Sequence, residues 1–359
     1  MRTRLLELLR CPACGQTFRI VEGDVRQGEL SEGALQCEGA CRRRVPVRDG
    51  VPRMVVDASL GSQERLTKDR FGYQWTHFGK EPETFEANFL AYLDPVPPSF
   101  FQGKLGLDAG CGFGRHIYQA SRFGAEMVGL DMSAAIDVTR RATAALPNVH
   151  LVQGDLLNPP LPERTFDFVY SLGVLHHLPE PQRGFESIVR LVKPGGMVMI
   201  WVYSTSRRWT NLMLESMRAV TTRLGPRTLH VISWVATVID RVIGLVYRGL
   251  RCLPLVGVWV ERWTPERIRR YSGFPFGVCL ADWFDRLAAP IRYYYDPPAL
   301  QAWAEAVGLQ DVRIAATEAY GWRLHGTVPV GCDSRMSETA SQASGCGAVP
   351  EPSRVVRSS

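Results

Sequence analysis

The sequence predicts an α/β fold: a mainly parallel sheet with helices on both faces, a small cysteine-bearing module before it and an apolar helical insert late in the chain. Three observations carry this. Short apolar runs alternate with helix-period segments from about residue 105 to 202, a glycine-rich turn follows the first run, and two cysteine pairs fall within the first 41 residues.

Each element has its own signal. Residues 1–56 hold the cysteine pairs and little else that would make a core. Residues 57–100 form an aromatic connector with Phe71, Tyr73 and Trp75, closing on Asp94-Pro95-Val96-Pro97-Pro98, a boundary signal. Residues 101–330 follow as the α/β domain. Leu105-Gly106-Leu107-Asp108 is its first strand, with a helix from about Phe113 to Phe123. Met127 to Leu130 is the second strand, with Ser133 expected to cap a helix whose apolar positions are Ala135, Val138, Ala142 and Ala145. Val149–Val152 and Phe166–Tyr170 are the third and fourth strands. Phe185, Ile188, Val189 and Val192 mark one face of the next helix, stopped by Lys193-Pro194-Gly195-Gly196. Met197–Val202 is a fifth strand, apolar throughout, as suits a strand buried on both faces. Asp296-Pro297-Pro298 caps and starts a helix bearing Leu300, Trp303 and Val307, which Gly308 ends. Val312–Ala316 and Trp322–Val328 read as two final strands joined through Gly321. Residues 331–359 are Ser-, Gly- and Pro-rich without periodicity and are expected to be a disordered tail.

With 359 residues, 45% hydrophobic and 22% charged, the chain has the composition of a globular protein with one sizeable core and a small satellite. A net charge of +6 invites a nucleic-acid partner. However, the basic residues are nearly all Arg and read as spread along the chain, the lysines being Lys68, Lys80, Lys104 and Lys193. No basic stripe is visible, so nucleic acid is not the expected partner. The opening MRTRLLELLRCPACG lacks the long apolar core of a signal peptide. Nine cysteines in such a chain favour metal or free thiols over disulfides, and a cytoplasmic location is expected.

The chemistry concentrates at Leu107-Asp108-Ala109-Gly110-Cys111-Gly112-Phe113-Gly114. Glycines at a strand-to-helix turn let a ligand approach the main chain. A dinucleotide site would need G-x-G-x-x-G, and Arg115 stands where its third glycine belongs. The spacing D-x-G-x-G-x-G suits a nucleoside without a pyrophosphate. Asp131 ends the second strand, placed to accept hydrogen bonds from ribose hydroxyls, and Gly154-Asp155 ends the third, placed for an adenine amine. Asp108 and the loop carbonyls would face the remainder of the ligand. Ligands bind at the carboxyl ends of strands in such sheets.

LDAGCGFG (107–114), VGLDMS (128–133), QGD (153–155), FDFVYSLGVLHHL (166–178) and LVKPGGMVMI (191–200) together resemble the class I S-adenosylmethionine-dependent methyltransferases, more narrowly their ubiquinone/menaquinone-type small-molecule branch. The resemblance covers residues 100–204 and resumes at about 297–328. It implies a Rossmann-like seven-stranded sheet whose last strand runs antiparallel. It also implies a cofactor site at Asp108, Gly110, Cys111, Gly112, Gly114, Asp131, Met132, Asp155, Leu156 and Ser171. Asn158-Pro159-Pro160-Leu161 looks like the N-P-P-aromatic motif of nucleic-acid amino-methyltransferases. That motif belongs after the fourth strand, where this chain has Ser171-Leu172-Gly173-Val174, and the match is set aside.

Methyl transfer from a sulfonium is an in-line displacement helped by positioning, with a base needed only where the acceptor loses a proton. His176 and His177, just beyond the fourth strand, are the candidate bases; packing beneath the cofactor is the other reading of either. Tyr73, Trp75, His77 and Phe78 of the connector are candidates for a lid, and Tyr293, Tyr294 and Tyr295 for the acceptor pocket. Cys11-x2-Cys14 and Cys37-x3-Cys41 offer four thiolates from two short loops, a closed structural zinc set. With the following stretch to Pro52 they resemble the zinc-ribbon activator subunit that partners tRNA and protein methyltransferases, although two residues usually separate the second pair. Cys111, Cys252, Cys279, Cys332 and Cys346 lack ligand spacing. The insert, about 205–290, carries Val231–Ile239 and Val242–Tyr247. No uninterrupted apolar run there reaches the ~18 residues of a membrane span. It reads as a cap over the site or, more sharply, as a peripheral membrane contact flanked by Arg223, Arg227, Arg248 and Arg251. The expected function is methylation of a small or lipid-linked metabolite on carbon or oxygen. An RNA methyltransferase docking through the ribbon, and a non-catalytic cofactor-binding scaffold, stay open beside it.

Overall fold

The computed structural model describes residues 1–331 apart from 56–59, 79–81, 207, 255 and 318–320. The expected tail, beyond Gly331, lies outside the described residues. The N-terminal module comprises α1 (Thr3–Leu8), β1 (Phe18–Glu22), β2 (Val25–Arg26), β3 (Glu29–Leu30), β4 (Gly33–Cys37), β5 (Arg44–Arg48) and β6 (Val51–Pro52). The connector follows as α2 (Ser62–Phe78) and α3 (Glu86–Leu93). The α/β alternation is β7 (Leu105–Ala109), α4 (Arg115–Arg122), β8 (Glu126–Asp131), α5 (Ala135–Ala142), β9 (Val149–Gln153), β10 (Phe166–Leu172), α6 (Pro181–Arg190) and β11 (Val192–Tyr203). The insert is α7 (Arg208–Thr221), α8 (Pro226–Arg251), α9 (Gly257–Trp263), α10 (Glu266–Tyr271) and α11 (Phe276–Ala288). The chain then closes with α12 (Pro297–Ala306), β12 (Gln310–Ala316) and β13 (Gly321–Thr327).

Seven strands form one sheet in the order β12-β13-β11-β10-β7-β8-β9. β11, β10, β7, β8 and β9 run parallel, and β13 lies antiparallel between β11 and β12. Strand direction of growth reverses between β7 and β10, and a crevice opens outside the carboxyl ends of a doubly wound sheet at that switch. The period-2 alternation divides the core. Leu107, Val128, Leu130, Val198 and Ile200 face α6 and α12, whereas Met127, Phe168, Tyr170, Met199 and Trp201 face α3, α4 and α5.

Three local expectations are corrected. α5 begins at Ala135 with Ala134 at its cap position; Ser133 Oγ still accepts from Ala135 N–H, at 3.2 Å, but also donates to Asp131. Its buried stripe is Ala135, Ile136 and Thr139, one face at i, i+3 and i+4 spacing; Val138 and Ala142 lie beside it half-buried, and Ala145 is exposed beyond the helix end. Lys193-Pro194-Gly195-Gly196 does not separate helix from strand: it lies within β11. Asp296 behaves as read, its Oδ1 accepting from Ala299 N–H at 3.1 Å.

The cysteine module sits on the free edge of the sheet. Arg53 bridges Gln153 in parallel fashion, and Met54 N–H donates to Gln153 O at 2.8 Å, so the chain leaving β6 continues the sheet past β9. Arg2 Nη1 donates to Leu146 O (2.9 Å) and Val149 O (3.2 Å). The Asn158-Pro159-Pro160 turn serves as a seat, Asn158 Nδ2 donating to Pro12 O at 3.0 Å and Pro160 O accepting from Arg10 N–H at 2.9 Å. An edge strand that would otherwise offer unpaired backbone groups is thereby covered.

Several histidines are buried in this frame. Burial holds His116 well below its ordinary value and lowers His150, and burial with Arg323 nearby brings His325 to about 4. The unfolded chain therefore binds more protons than the native one between about pH 6.5 and 4. Stability from these groups is fully present above about pH 6.5 and is lost as pH falls toward 4. Urea midpoints measured across that window should fall with acidification, and a flat profile would contradict the burial.

Candidate active site

The site is assembled at the carboxyl edge of the sheet. β7 delivers the glycine loop, which is tied down at four points. Gly110 and Cys111 N–H both donate to Leu130 O (2.7 and 3.1 Å), Gly112 N–H donates to Asp131 Oδ2 (2.8 Å), and Thr139 Oγ1 donates to Gly112 O (2.6 Å). Gly110 has φ +92°, and a Cβ there would fall 2.4 Å from Val174 Cγ2, so neither angle nor space admits a side chain. Asp131 Oδ1 accepts from Ser133 N–H (2.8 Å) and Oγ–H (2.7 Å). Burial raises its carboxyl and these donors oppose the rise. Asp155, at the end of β9, accepts from Leu157 N–H at 2.9 Å, and its carboxyl too is raised, chiefly by burial.

A cavity of about 580 Å³ opens over this edge. Of the residues expected from sequence, Gly110, Cys111, Gly112, Asp131, Met132, Asp155, Leu156 and His177 line it; Asp108, Gly114, Ser171 and His176 do not. Asp108 lies fully buried beneath the loop, where burial first, with the neighbouring Asp131 charge, pushes it up to about 8. Gly114, φ +91°, is the cap residue of α4, and a Cβ there would press on Thr139 at 2.9 Å. Ser171 Oγ donates to Ala109 O at 2.8 Å and fixes the end of β7.

The two histidines part company. His176 is buried with its ring 4.0 Å from the Tyr203 ring, and burial holds its imidazole well below the ordinary range. His177 Nδ1 lies 2.8 Å from Ile291 O. A carbonyl only accepts, so in the neutral ring Nδ1 carries the proton and Nε2 keeps the lone pair. Burial above all brings His177 to about 4, which keeps it neutral near pH 7.

The roof comes from the connector and the insert acting as one body. Arg70 of α2 is buried and donates to Ala288 O (3.2 Å), Thr222 O (2.7 Å) and Leu224 O (2.7 Å), where α7 and α11 end. Trp75 packs on Phe113 (4.8 Å) and lies above Gly112. Of the connector aromatics expected as a lid, Trp75 and Phe78 line the cavity. Tyr73 instead stacks on Phe284, and exposed His77 stacks on Tyr73. Of the three tyrosines, only Tyr294 lines it; Tyr295 is in the core against Trp303 (4.7 Å), and Tyr293 N–H ties the strap between α11 and α12 (residues 289–296) to His176 O.

Sequence reasoning missed the far wall. Tyr203 Oη donates to Asp285 Oδ2 (2.7 Å), which Arg292 Nη2 meets at 3.4 Å, and the Arg292 guanidinium lies 4.1 Å over the Tyr203 ring. Burial works to raise Asp285, and the Arg292 charge overcomes it, leaving the carboxyl below its ordinary value. These residues come from β11, α11 and the strap, with no common spacing. The available signal was an arginine abutting the tyrosine run.

At the other end of the chain, the Sγ atoms of Cys11, Cys14, Cys37 and Cys41 lie within 4.8 Å of one another, with close pairs at 3.4 and 3.6 Å. Tetrahedral zinc with bonds of about 2.3 Å has an S···S edge of about 3.8 Å, so the four thiols fit that ion. The extra residue in the second hairpin does not prevent convergence.

Comparison with known proteins matches residues 107–200 to a family described as a methyltransferase domain and residues 2–50 to one described as Trm112p-like protein. The ubiquinone biosynthesis O-methyltransferase of Alkalilimnicola ehrlichii is 36% identical over 110 residues, 30% of this chain and 43% of that protein. The tRNA (carboxymethyluridine(34)-5-O)-methyltransferase of Arabidopsis thaliana is 31% identical over 144 residues, 39% of this chain and 32% of that protein. A sterol 24-C-methyltransferase of Schizosaccharomyces pombe is 30% identical over 163 residues, 40% and 42% of the respective chains. The chain spans less than half the length of each of these relatives. It joins a methyltransferase domain to an N-terminal Trm112p-like domain.

Proposed function

We propose that this chain is an S-adenosylmethionine-dependent methyltransferase acting in the cytoplasm on carbon or oxygen of a small or lipid-linked metabolite. One observation carries the reading: Asp131, oriented by three protein donors and clamped to the glycine loop, faces a cavity with Asp155 at the next strand end. S-adenosylmethionine, when bound, supplies an electrophilic methyl group on a sulfonium. Asp131 retains lone pairs for ribose hydroxyls, and Asp155 offers one to an exocyclic amine. Met132 and Leu156 supply apolar walls, and the loop glycines allow close approach of the main chain. His177 Nε2 takes the proton of an acceptor hydroxyl or carbon acid, its tautomer fixed by Ile291 O. Tyr203, Asp285 and Arg292 orient the acceptor from the opposite wall.

The names of two relatives, one in ubiquinone biosynthesis and one a sterol methyltransferase, support a small or lipid-linked acceptor. The tRNA relative keeps an RNA acceptor as the alternative. Against it, the arginines of the ribbon are partly spent within the protein: Arg43 Nη2 donates to Met54 O (2.9 Å), and Arg44 pairs with Glu22. A scaffold role remains the reading if cofactor binds without turnover on any acceptor. The four cysteines would hold a structural zinc, with no position open for chemistry.

Transfer of a labelled methyl group from S-adenosylmethionine into extract of a strain lacking the gene should label the lipid or small-molecule fraction. Label in RNA would move the assignment to the alternative. Asp131→Ala should weaken S-adenosylmethionine binding by roughly one to two orders of magnitude in calorimetry. His177→Gln should leave that affinity unchanged while lowering kcat by about 10²–10⁴-fold; an unaltered kcat would remove His177 from the chemistry. Metal analysis should find about one zinc per chain, lost with a lower Tm in Cys37→Ser.

A further inference from the structure

The longest helix of the insert is turned inside out for a protein in water. α8 directs Leu229, Ser233, Thr237, Gly244 and Tyr247 inward. On that side Asp240 accepts from Trp283 Nε1 at 2.6 Å, and a Cβ on Gly244 would meet Ser272 at 3.1 Å. The outward face carries Val231 (63% exposed), Val235, Ile239, Val242, Leu245 (60%) and Val246. A surface helix in water buries its aliphatic stripe. Here the packed seam is small and polar apart from Leu229 and Tyr247 near its ends, and the aliphatic stripe is bare, as in helices whose solvent is lipid. The apolar stretch that continues in sequence through Asp240-Arg241 is one continuous helix of 26 residues, about 39 Å long. By length and composition it is apolar enough to cross a membrane, and only 22% of its most apolar window is buried.

The bare surface extends beyond α8 and is charged around its rim. Among the described residues, every exposed large hydrophobic except Val21, Val25 and Val330 lies between Trp209 and Phe274, including Trp209 (84%), Trp259 (66%) and Trp263 (70%). Residues 207–274 contain twelve arginines and four acids, a net +8, while the whole chain is +6 and the remainder therefore −2. Arg208, Arg223, Arg227, Arg248, Arg251 and Arg262 are exposed at this surface, while Arg218 is buried against Glu215 and Ala289 O. Indole rings and arginines suit the headgroup region of an anionic bilayer. The Val, Ile and Leu of α8 offer neither stacking nor hydrogen bonds to a nucleic acid. This surface also reaches the cavity: Thr210, Asn211 and Leu214 of α7 line it while Leu212 and Met213 are exposed, and Phe274 is both exposed and lining.

We infer that the α7–α9 face of the insert docks on an anionic lipid bilayer without spanning it, and that the cavity receives a lipid-soluble acceptor from that side. The committed inner seam of α8 keeps the helix attached to α10 and α11. The acceptor clause rests on the methyltransferase reading; the docking does not. The test is cosedimentation of the full chain with phosphatidylcholine vesicles, with or without about 30% phosphatidylglycerol, and S-adenosylmethionine binding measured in the same samples. The wild type should sediment with the anionic vesicles and less with neutral ones. Val235→Asp combined with Val242→Asp should reduce partitioning on the order of tenfold or more, with cofactor affinity unchanged. Trp259→Ala with Trp263→Ala gives a second variant should the first not fold. Wild type left in the supernatant, variants that sediment like it, a dimer that ignores vesicles, or release from vesicles by RNA would each overturn the docking. Sedimentation without cofactor binding would uphold the docking and sink the enzymatic reading.

Discussion

The site depends on one joint, between the glycine loop after β7 and the end of β8. Leu130 O takes two loop amides, and the Asp131 carboxylate takes a third while Ser133 holds its other oxygen. A carboxylate with three fixed donors has little freedom left, so its remaining lone pairs face the cavity without a search. Asp108 and Ser171 belong to the support of this joint. Buried Asp108 lies under the loop, and Ser171 anchors the last carbonyl of β7, so both shape the floor from below rather than lining it.

Above this floor, the connector and insert close the cavity as a unit because one guanidinium ties them. Arg70 satisfies three carbonyls at helix ends that no helix could satisfy for itself, and burial leaves those bonds undisturbed by solvent. Beneath the same roof, His177 is kept neutral by burial and set in one tautomer by the Ile291 carbonyl. The far-wall trio is a charge-balanced group, Asp285 held ionised by Arg292 and bonded by Tyr203. The roof has opposite demands on its two sides, a polar and aromatic underside toward the cavity and an aliphatic outer face. The second is the face that the proposed bilayer docking would cover.

The N-terminal module solves a different problem. The edge strand β9 would expose unpaired backbone groups, and the segment after β6 covers it while the Asn158 turn receives Pro12 and Arg10. That turn resembled a catalytic motif in sequence but serves as a docking seat. The four thiols converge beside that seat, Cys11 lying between the Arg10 and Pro12 that dock on it, and none of them lines the cavity.

The sequence by itself determined the alternation of β7 to β11, the late antiparallel pair, the glycine loop and the two strand-end acids. It also determined the cysteine quartet. All of these rest on local periodicity, turn chemistry or short-range spacing, which a single stretch of chain encodes. Tertiary structure alone separated His176 from His177, since only His177 lines the cavity and only its ring meets a carbonyl 114 residues away. It alone found Tyr203, Asp285 and Arg292, brought together from three elements with no shared spacing. It placed Gly114 and Asp108 off the cavity wall, since motif position does not state which way a side chain faces. It also decided which face of α8 is bare: the sequence shows an apolar helix, but only packing against α10 and α11 reveals that Ser233, Thr237 and Gly244 are buried while Val235, Val242 and Leu245 are exposed.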